Sequence, residues 1–545
     1  MPMQLANFSG PTGIAETILL MLAVLAIVAA GAKRLAIAPS ILLVIAGIAI
    51  ALVPGLPRFE VPPELVLLIF LPPLVYSAGV AMSWREFRFN LRPITLLAFG
   101  CVVFTTGAIA VAAHYLLGFS WGVGFLLGAI ISPTDVVAPL AMARQLGLPH
   151  RLVVVLEGEG LANDATALVL YRFAVAAVAT GTFSLEKAAG EFALIVFGEI
   201  VYGIGVGWLS LRLRNWADDP RVEITLSLMT PYLAFWVPFD LGGSGVLATV
   251  ACGLYVSWNG PLLIPFATRL QGIFFWDLVV YLIEGLLFLI TGLQVRTLLT
   301  EAHAPAIQDL VVATLLTTAM AVIARFIWVF PATYIPRWLS PRIRKRDPSP
   351  TWQGPFFLAF TGIRGVDSLA VALAIPYFVA GGAPFPQRDL ILFVTFGIIV
   401  ITLIGQGSML PAVARWLDLP RESRKERAHD IREELSARRA ALAAVSARLD
   451  KAIEDHELPE EMAKHLRTRN EGREQVLPAN LEDGLEATRQ IAKVKKELID
   501  TERQFIFDML REGKISDEAR RRIEYELDLE EASVANRAKD GGGWF

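Results

Sequence analysis

Cysteine is nearly absent from this chain of 545 residues, which contains Cys101 and Cys252 and no others. Both lie in apolar runs, so the sequence supports neither a disulfide framework nor a cysteine-ligated metal site. The net charge is −3 at pH 7, so there is no basic excess of the kind that nucleic-acid binding requires. The charged C-terminal part also lacks a phosphate-binding glycine loop, which disfavours a nucleotide-driven pump and predicts no cofactor.

Charge is scarce over most of the chain. The first 420 positions hold 47 of the 101 Lys, Arg, Asp and Glu residues, and the last 125 hold 54. Hydrophobic residues make up 54% of the chain and the mean hydropathy is +0.53, far more apolar than a soluble protein needs. We therefore predict an all-α polytopic membrane domain at 1–416 and a helical cytoplasmic tail at 417–545. No Lys or Arg precedes Lys33, so the first apolar run is expected to be a retained span.

Apolar runs bounded by charges or by Pro and Gly clusters predict about thirteen transmembrane helices. They fall at about 14–32, 37–54, 63–82, 93–116, 120–143, 151–179, 187–213, 222–239, 243–258, 268–294, 307–335, 354–379 and 389–416. Loops after odd-numbered spans carry sixteen Lys and Arg residues, and loops after even-numbered spans carry four. Because positive residues favour the cytoplasmic side, this asymmetry predicts an external N-terminus and a cytoplasmic tail in a plasma (inner) membrane protein.

The sixth predicted span contains carboxylates at the depth where they are least expected. A helix that enters at Arg151 places Asp164 ~20 Å inside a ~30 Å hydrocarbon core, where an ionised acid costs roughly 2.5–3.5 kcal/mol. Asn163 adds an adjacent amide that can bind a cation, and Glu157 lies two turns earlier on nearly the same face. Glu159 points about 140° away and is expected to meet another partner. Asp164 is therefore a candidate for exchanging a proton for a metal ion, and acids that merely tie helices together are the alternative.

The fifth and twelfth spans carry residues that interrupt a helix. Pro133 and Pro139 remove backbone donors on either side of Asp135 in the fifth span. The twelfth contains T-G-I-R-G-V-D, in which two glycines flank Arg364 and Asp367 follows one turn later. Matched broken helices in the two halves of a transporter indicate its binding site. If the seventh span is a linker, spans 1–6 and 8–13 form two inverted repeats with broken helices 5 and 12 in equivalent places.

Other patterns leave their roles open. Four further intramembrane charges are each compatible with an interhelical tie or an ion path: Glu199, Asp277, Glu284 and Arg325. In the tail, apolar residues recur at helical spacing between charged ones, as at Ile491, Val494, Leu498 and Phe505. These stretches are too short for a long coiled coil and predict a helical domain whose partner the sequence does not identify.

With these motifs in place, the membrane domain resembles the monovalent cation/proton antiporters, in particular the sodium/proton exchanger branch with an Asn-Asp pair. The resemblance covers about residues 14–416 and rests on the order and spacing of four segments. These are F-L-P-P-L-V-Y-S-A-G, S-P-T-D-V-V-A-P, G-E-G-L-A-N-D-A-T-A-L-V-L-Y and T-G-I-R-G-V-D-S-L-A. It implies a repeated fold with a dimerisation part and a mobile core part, usually in a homodimer, and a role in pH and cation homeostasis.

The resemblance also implies roles for single residues. Asp164 would bind the transported Na⁺ or proton with Asn163 as its companion, and Thr134 and Asp135 would lie where the broken helices cross. Glu159 would form a structural ion pair with Arg364. The possible ion path includes Glu157 and Asp367. Two positions depart from the family pattern: Gly160 replaces a serine found in many members, and Ser77 replaces an acid common in the third span. The choice between Na⁺, Li⁺ and K⁺ therefore stays open.

Three functions compete at this point. A secondary antiporter that exchanges Na⁺ or another alkali cation for H⁺, with 1:1 electroneutral stoichiometry, fits the single mid-membrane cluster. A K⁺/H⁺ antiporter or a gated cation channel could use the same acids, although a channel needs a continuous polar pore. An intramembrane aspartyl protease needs a G-x-G-D motif, which the sequence does not contain. The chain is thus predicted to be a transporter and not an enzyme.

Overall fold

A computed structural model describes residues 11–35, 38–53, 66–180, 185–296, 298, 307–379, 382–455, 460–475, 481–512 and 514–539. Within these ranges the regular structure is helical, apart from an isolated antiparallel bridge between Phe378 and Pro384. The chain divides into two compact units, residues 1–420 and 421–545.

The first unit is a bundle of apolar helices. The first eight in chain order are α1 (Pro11–Leu35), α2 (Pro39–Ala51), α3 (Leu71–Ala81, after a π-helical turn at Val66–Phe70), α4 (Trp84–Phe89), α5 (Leu91–Leu117), α6 (Trp121–Ile131), α7 (Val137–Leu146) and α8 (His150–Thr180). The next nine are α9 (Leu185–Ala217), α10 (Pro220–Asp240), α11 (Val246–Leu263), α12 (Phe266–Leu293), α13 (Ile307–Leu339), α14 (Pro341–Arg346), α15 (Gln353–Phe360), α16 (Val366–Leu373) and α17 (Arg388–Trp416).

Eight of the helices in the described residues are long and apolar enough to cross a membrane: α5, α8, α9, α10, α11, α12, α13 and α17. The predicted all-helical membrane fold is confirmed, and each predicted apolar run coincides with helix over most of its described part. The count of thirteen crossings stays a prediction.

Local sequence determines where several helices stop and start. Gly118 and Gly147 adopt positive φ angles of 70° and 60° directly after α5 and α7, a backbone conformation that favours glycine. Asp219 precedes α10, and its carboxylate accepts the backbone N–H groups of Arg221 and Val222 at 2.9 and 3.1 Å. These ends allow neighbouring membrane helices to be joined by short turns.

Small residues let some helices pack backbone against backbone. A Cβ atom placed on Gly47 of α2 would lie 2.4 Å from the carbonyl oxygen of Leu289 in α12. Gly253 of α11 is equally close to α3, since a Cβ atom there would lie 2.9 Å from the carbonyl oxygen of Tyr76. Such close approach through glycine is typical of helix packing in membranes, where lipid removes the hydrophobic drive for association.

The second unit contains most of α18 (Leu419–Glu454), together with α19 (Glu460–Gln475), α20 (Leu481–Arg511) and α21 (Asp517–Lys539). Helices α20 and α21 pack through a small core of Ala492, Ile499, Leu527 and Val534. Beside it Arg503 binds Asp528 and Glu531, each at 2.8 Å, and these hydrogen bonds raise the pKa of its guanidinium above the ordinary value. The tail is therefore helical, as predicted.

The apolar residues that recur at helical spacing in the tail sequence do not form that core. Ile491, Val494, Leu498 and Phe505 lie on α20 but are 47%, 54%, 63% and 65% exposed. The neighbouring face of the helix carries the buried residues, because α21 packs there. Helical periodicity located the helix correctly and did not identify its buried face.

Candidate functional site

Two membrane segments are interrupted, and both interruptions were predicted. The fifth stops at Ile131, is not helical through residues 132–136 and resumes as α7. Pro133 has no backbone N–H to continue α6, and Asp135 accepts the N–H of Val137 at 2.8 Å through its Oδ1 atom at the start of α7. The twelfth stops at Phe360 and resumes as α16 after residues 361–365.

The two interruptions cross each other. The backbone N–H of Asp135 donates to the carbonyl of Ile363 at 2.8 Å, which joins one non-helical segment to the other. A Cβ atom on Gly365 would lie 2.4 Å from the Cβ atom of Asp135, so only glycine permits this approach. The glycines of T-G-I-R-G-V-D thus serve close packing and not a left-handed backbone conformation. Thr134 and Asp135 lie at this crossing.

The crossing brings four half-helix ends together, and charged side chains match their dipoles. Arg364 donates to the Ile131 carbonyl at the end of α6 at 2.7 Å and to the Gly362 carbonyl at 2.5 Å. Arg325, from α13, donates to the Leu358 carbonyl in the last turn of α15 at 3.1 Å. Asp135 and Asp367 occupy the opposite ends, beside the first turns of α7 and α16. Cations at carbonyl ends and anions at amide ends are the favourable arrangement.

The structure corrects one predicted pair. Glu159 binds Arg325, whose Nη1 and Nη2 atoms reach Oε1 and Oε2 respectively, the second at 2.9 Å. The predicted ion pair of Glu159 with Arg364 is therefore wrong in its partner, although Arg364 is close enough to feel the charge of Glu159. Sequence reasoning noted Arg325 as an intramembrane charge, but nothing in the sequence relates the eleventh span to the sixth.

Asn163 is linked to that ion pair through Thr134. Its Nδ2 atom donates to the Thr134 carbonyl at 2.8 Å and lies 3.3 Å from the Thr134 hydroxyl, which in turn donates to Glu159 at 3.1 Å. The Oδ1 atom of Asn163 is buried and accepts no hydrogen bond within the described part of the chain. A buried carbonyl oxygen without a donor is suited to a cation ligand.

Three carboxylates lie within electrostatic range of one another. Asp164 of α8 lies within electrostatic range of both Asp135 and Asp367. All three side chains belong to residues that are half-buried, in contrast to the fully buried Glu159. Asp367 is therefore brought to the same place as Asp164, and the site combines concentrated negative charge with partial access.

Glu157 is not part of this cluster. Its carboxylate binds Arg144 at 2.7 Å, with the two side chains 21% and 67% exposed. Glu284 of α12, whose role the sequence left open, lies within electrostatic range of both Arg144 and Asp135. The role of Glu157 in an ion path stays a prediction.

Three other positions singled out in the sequence have structural explanations. Glu199 is buried and accepts the Ser244 hydroxyl at 2.8 Å and the Gly245 N–H at 3.1 Å, so it ties α9 to the turn before α11. At Gly160 a Cβ atom would lie 2.4 Å from the Val136 side chain, so valine fills the space that a larger residue would need. Ser77 donates to the Leu74 carbonyl of its own helix at 2.9 Å.

Comparison with known proteins identifies the family of this chain. The family model described as sodium/hydrogen exchanger, transmembrane, matches residues 20–416. A protein of Mycobacterium tuberculosis named as an uncharacterised Na⁺/H⁺ exchanger is 32% identical over 541 residues, which is 97% of this chain and 98% of the relative. A Bacillus pumilus protein named as a sodium, potassium, lithium and rubidium/H⁺ antiporter is 33% identical over 68% of this chain and 57% of its own.

A solved structure shares the fold. The sodium proton antiporter MjNhaP1 from Methanocaldococcus jannaschii, solved at pH 8, superposes with a TM-score of 0.60 at 19% sequence identity. The match covers 74% of this chain and 98% of the solved chain. The similarity shows that the two chains share a common fold.

Proposed function

Because the chain belongs to the sodium/hydrogen exchanger family, we propose that it is a secondary antiporter that exchanges Na⁺, or another monovalent alkali cation, for H⁺. The observation that carries this proposal is the convergence of Asp164, Asp135 and Asp367 at the crossing of two interrupted helices. Carboxylates at such a crossing bind either a proton or a cation, because both neutralise the same buried charge.

Asp164 is the proposed exchanging group. Glu159 is neutralised by Arg325 and both side chains are fully enclosed, so that pair keeps its charge through the cycle. Asn163 contributes its Oδ1 atom to the cation, while its Nδ2 atom is held by Thr134. Cation and proton then compete for one site, which couples their movements in opposite directions without a nucleotide or other cofactor.

The finer features are part of the same proposal. The protein functions in the plasma membrane as a homodimer, with its N-terminus outside and its tail in the cytoplasm, and contributes to pH and cation homeostasis. Lysine and arginine asymmetry supports the orientation. Na⁺ and K⁺ are both candidate substrates, since a relative is named for transport of several alkali cations.

The test is transport by purified protein in proteoliposomes, with Na⁺, Li⁺ and K⁺ compared side by side. Addition of a transported cation to one side should move protons the opposite way, and the three responses rank the cations. Liposomes with the Asp164→Asn variant provide the matched control. Cation flux that follows its own gradient without proton movement would establish a channel and overturn the proposal.

A further inference from the structure

A cleft lined by basic and apolar residues lies at one end of the membrane unit, between α5, α8, α13 and α15. Arg92, Arg151 and Arg337 line it, and the first two are 25% and 38% exposed at its mouth. Its walls include Val155, Val329 and Leu358, which are buried. We call this feature the basic cleft.

The basic cleft carries more positive charge than its own acid balances. Asp347 is the carboxylate that binds there, and it meets Arg92 at 2.5 Å, Arg151 at 2.7 Å and Arg337 at 2.7 Å. One carboxylate cannot neutralise three guanidinium groups, so two positive charges remain. The short helix α14 leads directly into Asp347 and adds four exposed cations: Arg342, Arg344, Lys345 and Arg346.

The position of the cleft is that of a membrane boundary. Trp338 at the end of α13 and Trp352 just before α15 are 80% and 48% exposed, as expected for rings at the level of lipid headgroups. The cleft also lies on the side that the proposed orientation makes cytoplasmic. Clusters of Lys and Arg next to membrane helices on that side attract anionic lipids.

We propose that the basic cleft binds an anionic phospholipid, with the phosphate group between Arg92 and Arg151 and the start of an acyl chain against Val155 and Leu358. Arginine pairs with phosphate through two parallel hydrogen bonds, which suits the exposed guanidinium groups. A free phosphate ion would use the arginines but not the apolar walls. The combination of both therefore favours a lipid as the occupant.

The cleft shares one residue, Leu358, with the hydrogen bonds of the buried ion pair. The Leu358 side chain forms part of the wall, and its carbonyl accepts a hydrogen bond from Arg325, the partner of Glu159. A lipid that fills the cleft packs against the end of α15 where this contact is made. Bound lipid is therefore expected to stabilise the membrane unit as well as to occupy its surface.

The test measures the melting temperature of the purified full-length protein in detergent with three additions: phosphatidylglycerol, phosphatidylcholine and inorganic phosphate. A ligand that binds the folded state raises the apparent stability by mass action. Phosphatidylglycerol should raise the melting temperature by several degrees, whereas phosphatidylcholine and phosphate should have little effect. The readout does not depend on transport, so it is independent of the proposed function.

Two variants locate the site. Arg92→Gln together with Arg151→Gln removes the phosphate ligands, and Ala332→Leu narrows the cleft while keeping every charge. Each should lose most of the shift caused by phosphatidylglycerol. Arg269→Gln is the control, because it removes an exposed arginine that lies outside the cleft and donates to the carbonyls of Pro261 and Ile264 at the end of α11.

Three outcomes would overturn the proposal. An equal shift with phosphatidylcholine would mean general solvation by lipid, and an equal shift with phosphate would mean an anion site without a chain. A full response to phosphatidylglycerol in both variants would place the lipid elsewhere.

Discussion

Arg325 and Glu159 form a two-point ion pair whose side chains are 3% and 2% exposed. The pair joins α13 to α8, and Thr134 extends it to the crossing of the interrupted helices. Removal of one partner leaves an uncompensated buried charge, which costs roughly 3–5 kcal/mol. Its geometry makes the pair a structural support next to the exchanging carboxylate.

The first prediction is a coupling between these residues. Arg325→Ala and Glu159→Ala should each lower the melting temperature strongly, and the double variant should be clearly more stable than the sum of the two effects predicts. Arg364→Ala combined with Glu159→Ala should show a smaller coupling, because Arg364 donates to backbone carbonyls. Melting curves in one detergent measure the coupling in both double-mutant cycles. A larger coupling for Arg364 would contradict the observed pairing.

The second prediction concerns Asp164. Asp164→Asn should abolish exchange and leave folding largely intact, since the amide keeps the shape of the side chain and removes the group that alternates between H⁺ and cation. Asp240→Asn, at the exposed end of α10, is the matched control and should transport normally. Measurement is by proton flux in proteoliposomes with equal protein content. Wild-type rates from Asp164→Asn would exclude this carboxylate as the exchanging group.

Exchange should be electroneutral, with one cation moved per proton. Glu159 is balanced by Arg325 and Asn163 is neutral, so Asp164 alone is proposed to change protonation. A net charge moved would add ~2.3 kcal/mol of driving force per 100 mV. Liposomes held at defined potassium diffusion potentials test this through sodium-driven pH changes. A pH gradient at equilibrium that shifts with voltage would indicate a second titrating acid, and Asp135 and Asp367 are nearest.

Asp347 provides a prediction about pH. Partial burial opposes its ionisation, but the hydrogen bonds and charges of Arg151 and Arg337 outweigh burial and hold the pKa of this carboxyl below its ordinary value. Because the folded-state pKa of Asp347 is lowered, the ion cluster stabilises the protein at pH values above the unfolded-state pKa of about 3.9. This stabilisation is lost as the pH falls through the folded-state pKa of Asp347.

Asp347→Asn should therefore destabilise the protein at neutral pH by about 1–3 kcal/mol. The difference from wild type should shrink as the pH falls below about 4. Thermal melts from pH 7 downwards measure this, with Asp240→Asn, an exposed acid outside the cluster, as control. A difference that stays constant with pH would show that charge on Asp347 is not the source of the effect.

The tail is expected to regulate exchange without contributing ion ligands. All proposed ligands lie in the unit that ends at residue 420, and residues 421–545 form a separate unit. Truncation after Arg427 should preserve exchange activity while changing its response to pH or cation concentration. Transport by the truncated and full-length proteins, matched by their gel-filtration profiles, is the comparison. A well-folded truncation without transport would contradict this assignment.

Much of this molecule follows from local sequence alone. Long apolar runs can satisfy their backbone groups inside a membrane only as helices, so composition predicted the fold class. Pro133 and the glycines beside Arg364 predicted the two interruptions, because their effects on the backbone are local. Asp164 and Asn163 were identified for a similar reason, since an acid in an apolar run is costly wherever the helix packs.

Pairing between distant elements was decided by tertiary structure. Glu159 could pair with either of two buried arginines, Arg325 and Arg364. The sequence alone does not tell how far each of them lies from the sixth span. The choice depends on where α13 and the end of α15 lie, and that placement leaves Arg364 to bind the Ile131 carbonyl at the end of α6 and the Gly362 carbonyl in the second interruption. The convergence of Asp367 on Asp164 has the same origin, because side chains from separate helices meet only when the whole bundle is packed.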